Sequence, residues 1–232
     1  MAQHLKLIAL LIFTLSASYT SAQSLRKLLE RPYGIIESKW EKDAQVDNPF
    51  KSASSYTFYR GKDFNIQTPY ALPVKNNQKT AWKTDPREPF KTLNFHIKQG
   101  DTIYATRSGI ACKTTNPQQL LIYHPDQTFA AYLVMNENFI EPGEEVQVGQ
   151  AIGKAGPTGA AISFFFLDEN KFKGGLSSGY PYSHFIPVFR TTEGDVKPEE
   201  KTIYQAVTDH DLIMQDMSKR DKKKYMKLHN LK

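Results

Sequence analysis

The chain has 232 residues, enough for one sizeable core, and a formal net charge of +6 with a single cysteine. One thiol excludes an internal disulfide framework, so stability must come from the core. Lys219 to Lys232 carries seven basic residues and one acidic, a net of +6, whereas Gln23 to Ser218 carries 22 basic and 23 acidic; the folded part is near neutral and lacks the basic stripe of a nucleic-acid face.

Taken in chain order, the first 22 residues read as a secretory signal peptide. Lys6 precedes an apolar run from Leu7 to Leu15, and small residues lead to Ala22. That run is short for a membrane span. Cleavage after Ala22 is expected, giving an exported protein of the periplasm or the extracellular space. No cysteine stands at the boundary to carry a lipid anchor. Residues 23–89 form an N-terminal region, an extension, a lid or extra strands. Ser24 to Arg31 predicts a short amphipathic helix with Leu25, Leu28 and Leu29 on one face, ended by Pro32. FYRGKDFNI predicts two strands around Gly61, Tyr70 to Pro73 a strand end, and TDPREP a loop.

From Thr92 the strand signals become dense. Leu93, Phe95 and Ile97 alternate with polar residues before a turn at Gln99 to Asp101. Ile103–Thr106, Gly109–Thr114, Leu120–Tyr123, Thr128–Met135 and Val146–Val148 read as further short strands. Cys112 closes one of them and reads as a small buried hydrophobe. His124 falls in a His-Pro-Asp-Gln turn and is expected at the surface. Asp168 and Glu169 end a phenylalanine-rich strand as a solvated terminus. Phe185–Arg190 and Thr202–Ala206 are the last strands. Asp209 to Lys224 predicts a helix with acids early and bases late, which suits the helix dipole. The fold class is mainly β: an antiparallel sheet core over 90–206, with short flanking helices and a basic tail over 207–232.

Pro142 to Leu167, PGEEVQVGQAIGKAGPTGAAISFFFL, is the most distinctive stretch. Gly143 and Gly149 mark turns where positive φ is expected. With GDTIYATRSGIA and LIYHPDQTFAAYLVM before it, the order of segments resembles the lysostaphin-type (LytM-like) zinc endopeptidases, a family of peptidoglycan hydrolases with a small antiparallel core. The first segment is similar to that family's G-x-x-V-x-A-x-x-x-G-x-V hairpin. The second runs, as in the family, toward a Tyr-x-His-Leu. The third is similar to V-x-x-G-x-x-V-x-x-G-Q-x-I-G-x-x-G-x-T-G. Lipoyl and biotinyl carrier domains share part of the third pattern, but they need a modifiable lysine in a tight turn, and no such turn is present.

The resemblance implies a zinc site built from His-x-x-x-Asp and the last histidine of His-x-His, with other histidines polarising water and substrate. Those positions fall on Phe90 and Asn94, on Val134 within Tyr132 to Met135, and on Ile162 and Phe164, give or take one residue. Phenyl, isopropyl and sec-butyl groups have no lone pair for a metal, and Asn94 offers only a neutral carbonyl. His96, two residues beyond Asn94, is the candidate for a rebuilt site. His184, His210 and His229 lie outside the matched core. The expectation is therefore a domain without catalytic residues, metal or other cofactor, acting at the cell envelope as a binding or regulatory protein toward an envelope protein or a peptidoglycan peptide. The alternative is a zinc-dependent endopeptidase with a divergent site. The basic tail is either a solvated end or a contact for an anionic surface.

Overall fold

A computed structural model describes residues 66–87, 90–112, 114, 116–168, 171 and 182–231. The expected signal segment, the helix expected over Ser24 to Arg31, nearly all of the strands expected around Gly61, and Glu169 lie outside the described residues.

An eight-stranded sheet dominates the fold. Its order is β10 (Glu145–Val146), β6 (Gly109–Cys112), β7 (Leu120–Tyr123), β8 (Thr128–Leu133), β12 (Ala160–Leu167), β4 (Thr92–Phe95) and β3 (Trp82–Asp85), with β13 (Tyr182–His184) also pairing β12. All of these pairings are antiparallel. A second sheet joins β1 (Tyr70–Ala71), β14 (Phe189–Thr191) and β15 (Gly194–Val196), and here β1 runs parallel to β14, a departure from the all-antiparallel expectation. Two smaller sheets pair β5 (Thr102–Tyr104) with β11 (Ala151–Lys154) and β9 (Glu137–Asn138), and β16 (Tyr204–Gln205) with β2 (Lys79–Thr80). The mainly β class is as expected. So are the turns at Gly143 and Gly149, with φ of 93° and 76°. In the described part of the N-terminal region, β3 extends the main sheet and Tyr70 lies in its core.

Both faces of the main sheet are covered, which is why β12 reads as an apolar run interrupted only by Ser163. One face packs Leu93, Phe95, Ile122, Tyr132, Ile162 and Phe164 against Tyr70 and Phe189. The other packs Cys112, Phe129, Leu133, Ala161, Phe165 and Tyr182. Cys112 is buried as expected, and burial pushes its thiol up to about 12.

The expected C-terminal helix is two helices. Asp209 caps α1 (His210–Met214) by accepting from the Leu212 amide, and Ser218 caps α2 (Lys219–Leu228) by accepting from the Asp221 amide. Leu212 docks α1 beside Ala71 and Val148. The chain breaks between the helices where Asp216 turns inward to Arg107, which is only 2% exposed. Arg107 Nε and Nη2 donate to the two Asp216 oxygens at 2.9 and 2.7 Å, and Nη1 reaches Asp126 at 2.7 Å and Thr68 at 2.9 Å. The guanidinium carbon sits 4.9 Å from the centre of the Tyr70 ring. Burial and then Asp126 hold the Tyr70 hydroxyl well above its usual range, so it stays protonated and donates to Asp126 at 2.8 Å.

Two surface expectations are corrected here. His124 is fully buried: Gln127 turns the chain back at φ 67°, and the imidazole packs edge-on to Tyr70 with Nδ1 2.9 Å from the Ser108 carbonyl. Asp168 is buried as well, because β13 covers the end of β12 and Ser183 Oγ donates to its carboxylate at 2.7 Å.

Burial pulls the His124 imidazole down to about 4, with Asp126 opposing and Arg107 assisting. The neutral ring is the folded form, whereas the unfolded ring takes up a proton near about 6.5. This contribution to stability is complete above that value, declines as the pH falls through the interval down to about 4, and amounts to about 3 kcal/mol. Urea unfolding at pH 7.5 and 4.5 should show a marked loss in the parent and a smaller one in His124→Gln. Equal losses in both proteins would assign the acid sensitivity to other groups.

Candidate functional site

β12 is the strand on which the site is built. Its neighbours are β8 on one edge and, on the other, first β4 and then β13. Residues directly opposite each other on paired strands share a face. Ala161 stands opposite both Asn94 and Leu133, so Asn94 belongs to the face of the second cluster, and Phe90 packs there too. Ile162 and Phe164 point the other way, into the first cluster beneath Tyr70 and Phe189. The side chains able to meet Asn94 from β12 are therefore those of the one-residue shift: Ala161, Ser163 and Phe165.

This face is filled by rings. Phe90 stacks over Tyr182 with centroids 6.5 Å apart, and Phe129 stacks on Phe165 at 5.1 Å. Tyr182 lies 4.9 Å from Phe165 and meets the edge of His184 at 5.4 Å. Polar groups are few. Ser163 Oγ lies 3.2 Å from His184 Nδ1, and Thr92 Oγ1 donates to Asn94 Oδ1 at 3.0 Å. Ser163 is fully buried, while Phe90, Asn94 and His184 are half-buried and form the accessible rim.

The remaining expected positions lie elsewhere. Val134 stands past the end of β8 at φ 55°, 47% exposed. Tyr132 is buried in the first cluster, its hydroxyl accepting from the Thr106 amide at 2.9 Å, and burial pushes it up to about 12. His96 lies beyond β4 and is exposed, its amide bonded to Ala81 and its carbonyl to Thr80. Sequence reasoning missed His184 because it sits on the far side of a connection and reaches β12 only through pairing opposite Phe165. An extended reading of Tyr182 to His184 as a strand would have been the signal.

A catalytic zinc wants three protein ligands and an open position. On the Asn94 face the structure brings together one imidazole, one carboxamide and hydroxyls. Among the described residues no three of His, Cys, Asp or Glu lie close enough together to hold a metal. The donor set of the described residues does not fit zinc.

The described residues define the class as a mainly β domain, built on an antiparallel sheet with β12 among its central strands. Residues 88–166 match the model of Peptidase family M23, so the resemblance read from the sequence holds over that segment. No curated protein matches the chain. Among solved structures, one named as a peptidase M23 from Pseudomonas aeruginosa is similar at 19% identity and a TM-score of 0.35, covering 47% of this chain and 49% of that one. This chain thus spans about half the length of that structure.

Proposed function

We propose that the protein is an exported, catalytically inactive M23-type domain that binds a partner at the cell envelope, either an envelope protein segment or a peptidoglycan peptide. One observation carries this reading. The face on which Phe90 and Asn94 stand is occupied by the ring series Phe90, Tyr182, Phe165 and Phe129 in place of a donor set. These rings pack with centroids 4.9 to 6.5 Å apart and their carbons carry no lone pair for a metal, which supports binding rather than metal chemistry on this face. The half-buried rim of Phe90, Asn94 and His184 offers an apolar platform with one carboxamide and one imidazole, the mixture that orients a peptide. No cofactor enters this function.

Metal analysis of the purified protein, with an assay of wall-degrading activity, tests it. The expected result is substoichiometric zinc and no wall degradation. Stoichiometric zinc, lost together with wall degradation in His96→Ala, would establish the divergent endopeptidase instead. Recovery of a specific envelope protein or wall fragment from envelope extract, reduced when Asn94 is changed to Arg, supports binding at the rim.

A further inference from the structure

The C-terminal segment is a mounted platform for charge. α2 is held to the body through α1: His210 Nδ1 lies 2.9 Å from the Tyr225 hydroxyl, and the His210 ring lies 5.7 Å from that of Tyr225 and 5.4 Å from that of His229. α1 in turn is fixed by Leu212, by Asp216 on Arg107, and by Gln215 Nε2 donating to the Pro69 carbonyl at 3.0 Å. The face of α2 that carries Tyr225 is therefore inward, and Lys222 and Met226 beside it are half-buried.

At about 3.6 residues per turn, Lys219, Arg220, Lys223, Lys224 and Lys227 fall on a single arc of roughly 140°. All five are exposed. Asp221, the acid of this segment, is turned to the Ser218 cap and pairs weakly with Lys224 at 3.8 Å across two exposed side chains. Leu228, 77% exposed, borders the arc next to Lys224. The net charge of +6 from Lys219 to Lys232 equals that of the whole chain. A tail that merely solvates needs no capped helix and no anchors. Here the charge is fixed in direction.

We propose that the basic face of α2 docks the protein on a bilayer rich in anionic phospholipid. Five cations on one face suit a plane of phosphate headgroups, and Leu228 lies where it would enter the headgroup boundary. No helix among the described residues is long and apolar enough to cross a membrane. This is independent of the binding face around Asn94, which lies on the main sheet.

Flotation of the purified chain with vesicles tests it, using phosphatidylglycerol mixed with phosphatidylcholine, and phosphatidylcholine alone. Any contribution of residues 1–22 is shared by every arm. Binding to the anionic vesicles should be at least about 10-fold tighter and should weaken as salt shortens the Debye length. The pair K223E/K227E should lose at least about 10-fold on anionic vesicles while keeping the parent melting temperature, since neither side chain is buried. Equal binding to both vesicle types, undiminished binding by K223E/K227E, or capture by soluble polyphosphate with none by vesicles would each overturn the proposal.

Discussion

Arg107→Met should destabilise the protein by about 3–5 kcal/mol, because it leaves two buried carboxylates without their cation. Asp126 and Asp216 each keep about 10% exposure and both lie 2.7 Å from the guanidinium. Removing the cation also strips donors from Asp216, the Thr68 hydroxyl and the Tyr70 ring. Against a total stability of about 5–15 kcal/mol, the loss is large. The double variant Arg107→Met with Asp216→Leu should recover part of it, since an apolar pair of similar volume avoids stranding one charge. Urea unfolding of the two single variants and the double one measures the coupling. A single-variant loss below about 1 kcal/mol would mean that water screens the cluster as it screens a surface pair. Hydrogen exchange supplies a second readout. The amides of α1 should lose protection in Arg107→Met before those of β12, because Asp216 ties the helices to the core while β12 is held by β8, β4 and β13.

This cluster shows where sequence reading stops. Arg107 and Asp216 are 109 residues apart and look like ordinary surface charges. Nothing local announces that they meet, and nothing in a His-Pro-Asp-Gln turn announces that His124 folds under Tyr70. The strands of the sheet were legible because their period is local. Leu120–Tyr123 matches its expected span, the two-residue β9 was not expected, and the other strands between Thr92 and Val146 differ from theirs by a few residues at the ends. The facing of β12 was not legible. With both sides buried, Ile162, Ser163 and Phe164 carry no alternation that says which pair meets Asn94, and only the register Asn94 opposite Ala161 decides it. His184 was invisible for the same reason as Asp216: its place is set by long-range pairing. What holds in either case is chemical content. Whether β12 is read in one register or the other, the residues it offers are alanine, isoleucine, serine and phenylalanine.

Gly159→Ala should destabilise by about 2–5 kcal/mol, the sum of a left-handed backbone cost and a close contact that cannot relax. The residue sits at φ 87° just before β12, and an added Cβ would lie 2.4 Å from the Phe95 carbonyl oxygen and 3.2 Å from that of Ile97. Both atoms are backbone, and Phe95 is held in β4 by its pairing with Ala160 and Trp82. Two other glycines separate the terms. Gly100 has φ 82° with nothing within 4 Å of where a Cβ would stand, so Gly100→Ala carries the backbone cost alone, about 1–2 kcal/mol. Gly109 is not left-handed, but its Cβ would lie 2.3 Å from the Tyr123 carbonyl oxygen, so Gly109→Ala carries the contact alone, about 1–3 kcal/mol. Thermal unfolding should therefore rank Gly159→Ala as the most damaging of the three, with a melting temperature lowered by roughly 5–15 °C. A Gly159→Ala protein no less stable than Gly100→Ala would show that β4 yields to the new methyl group. The approach of this turn to Phe95 would then not be what fixes Asn94 opposite Ala161.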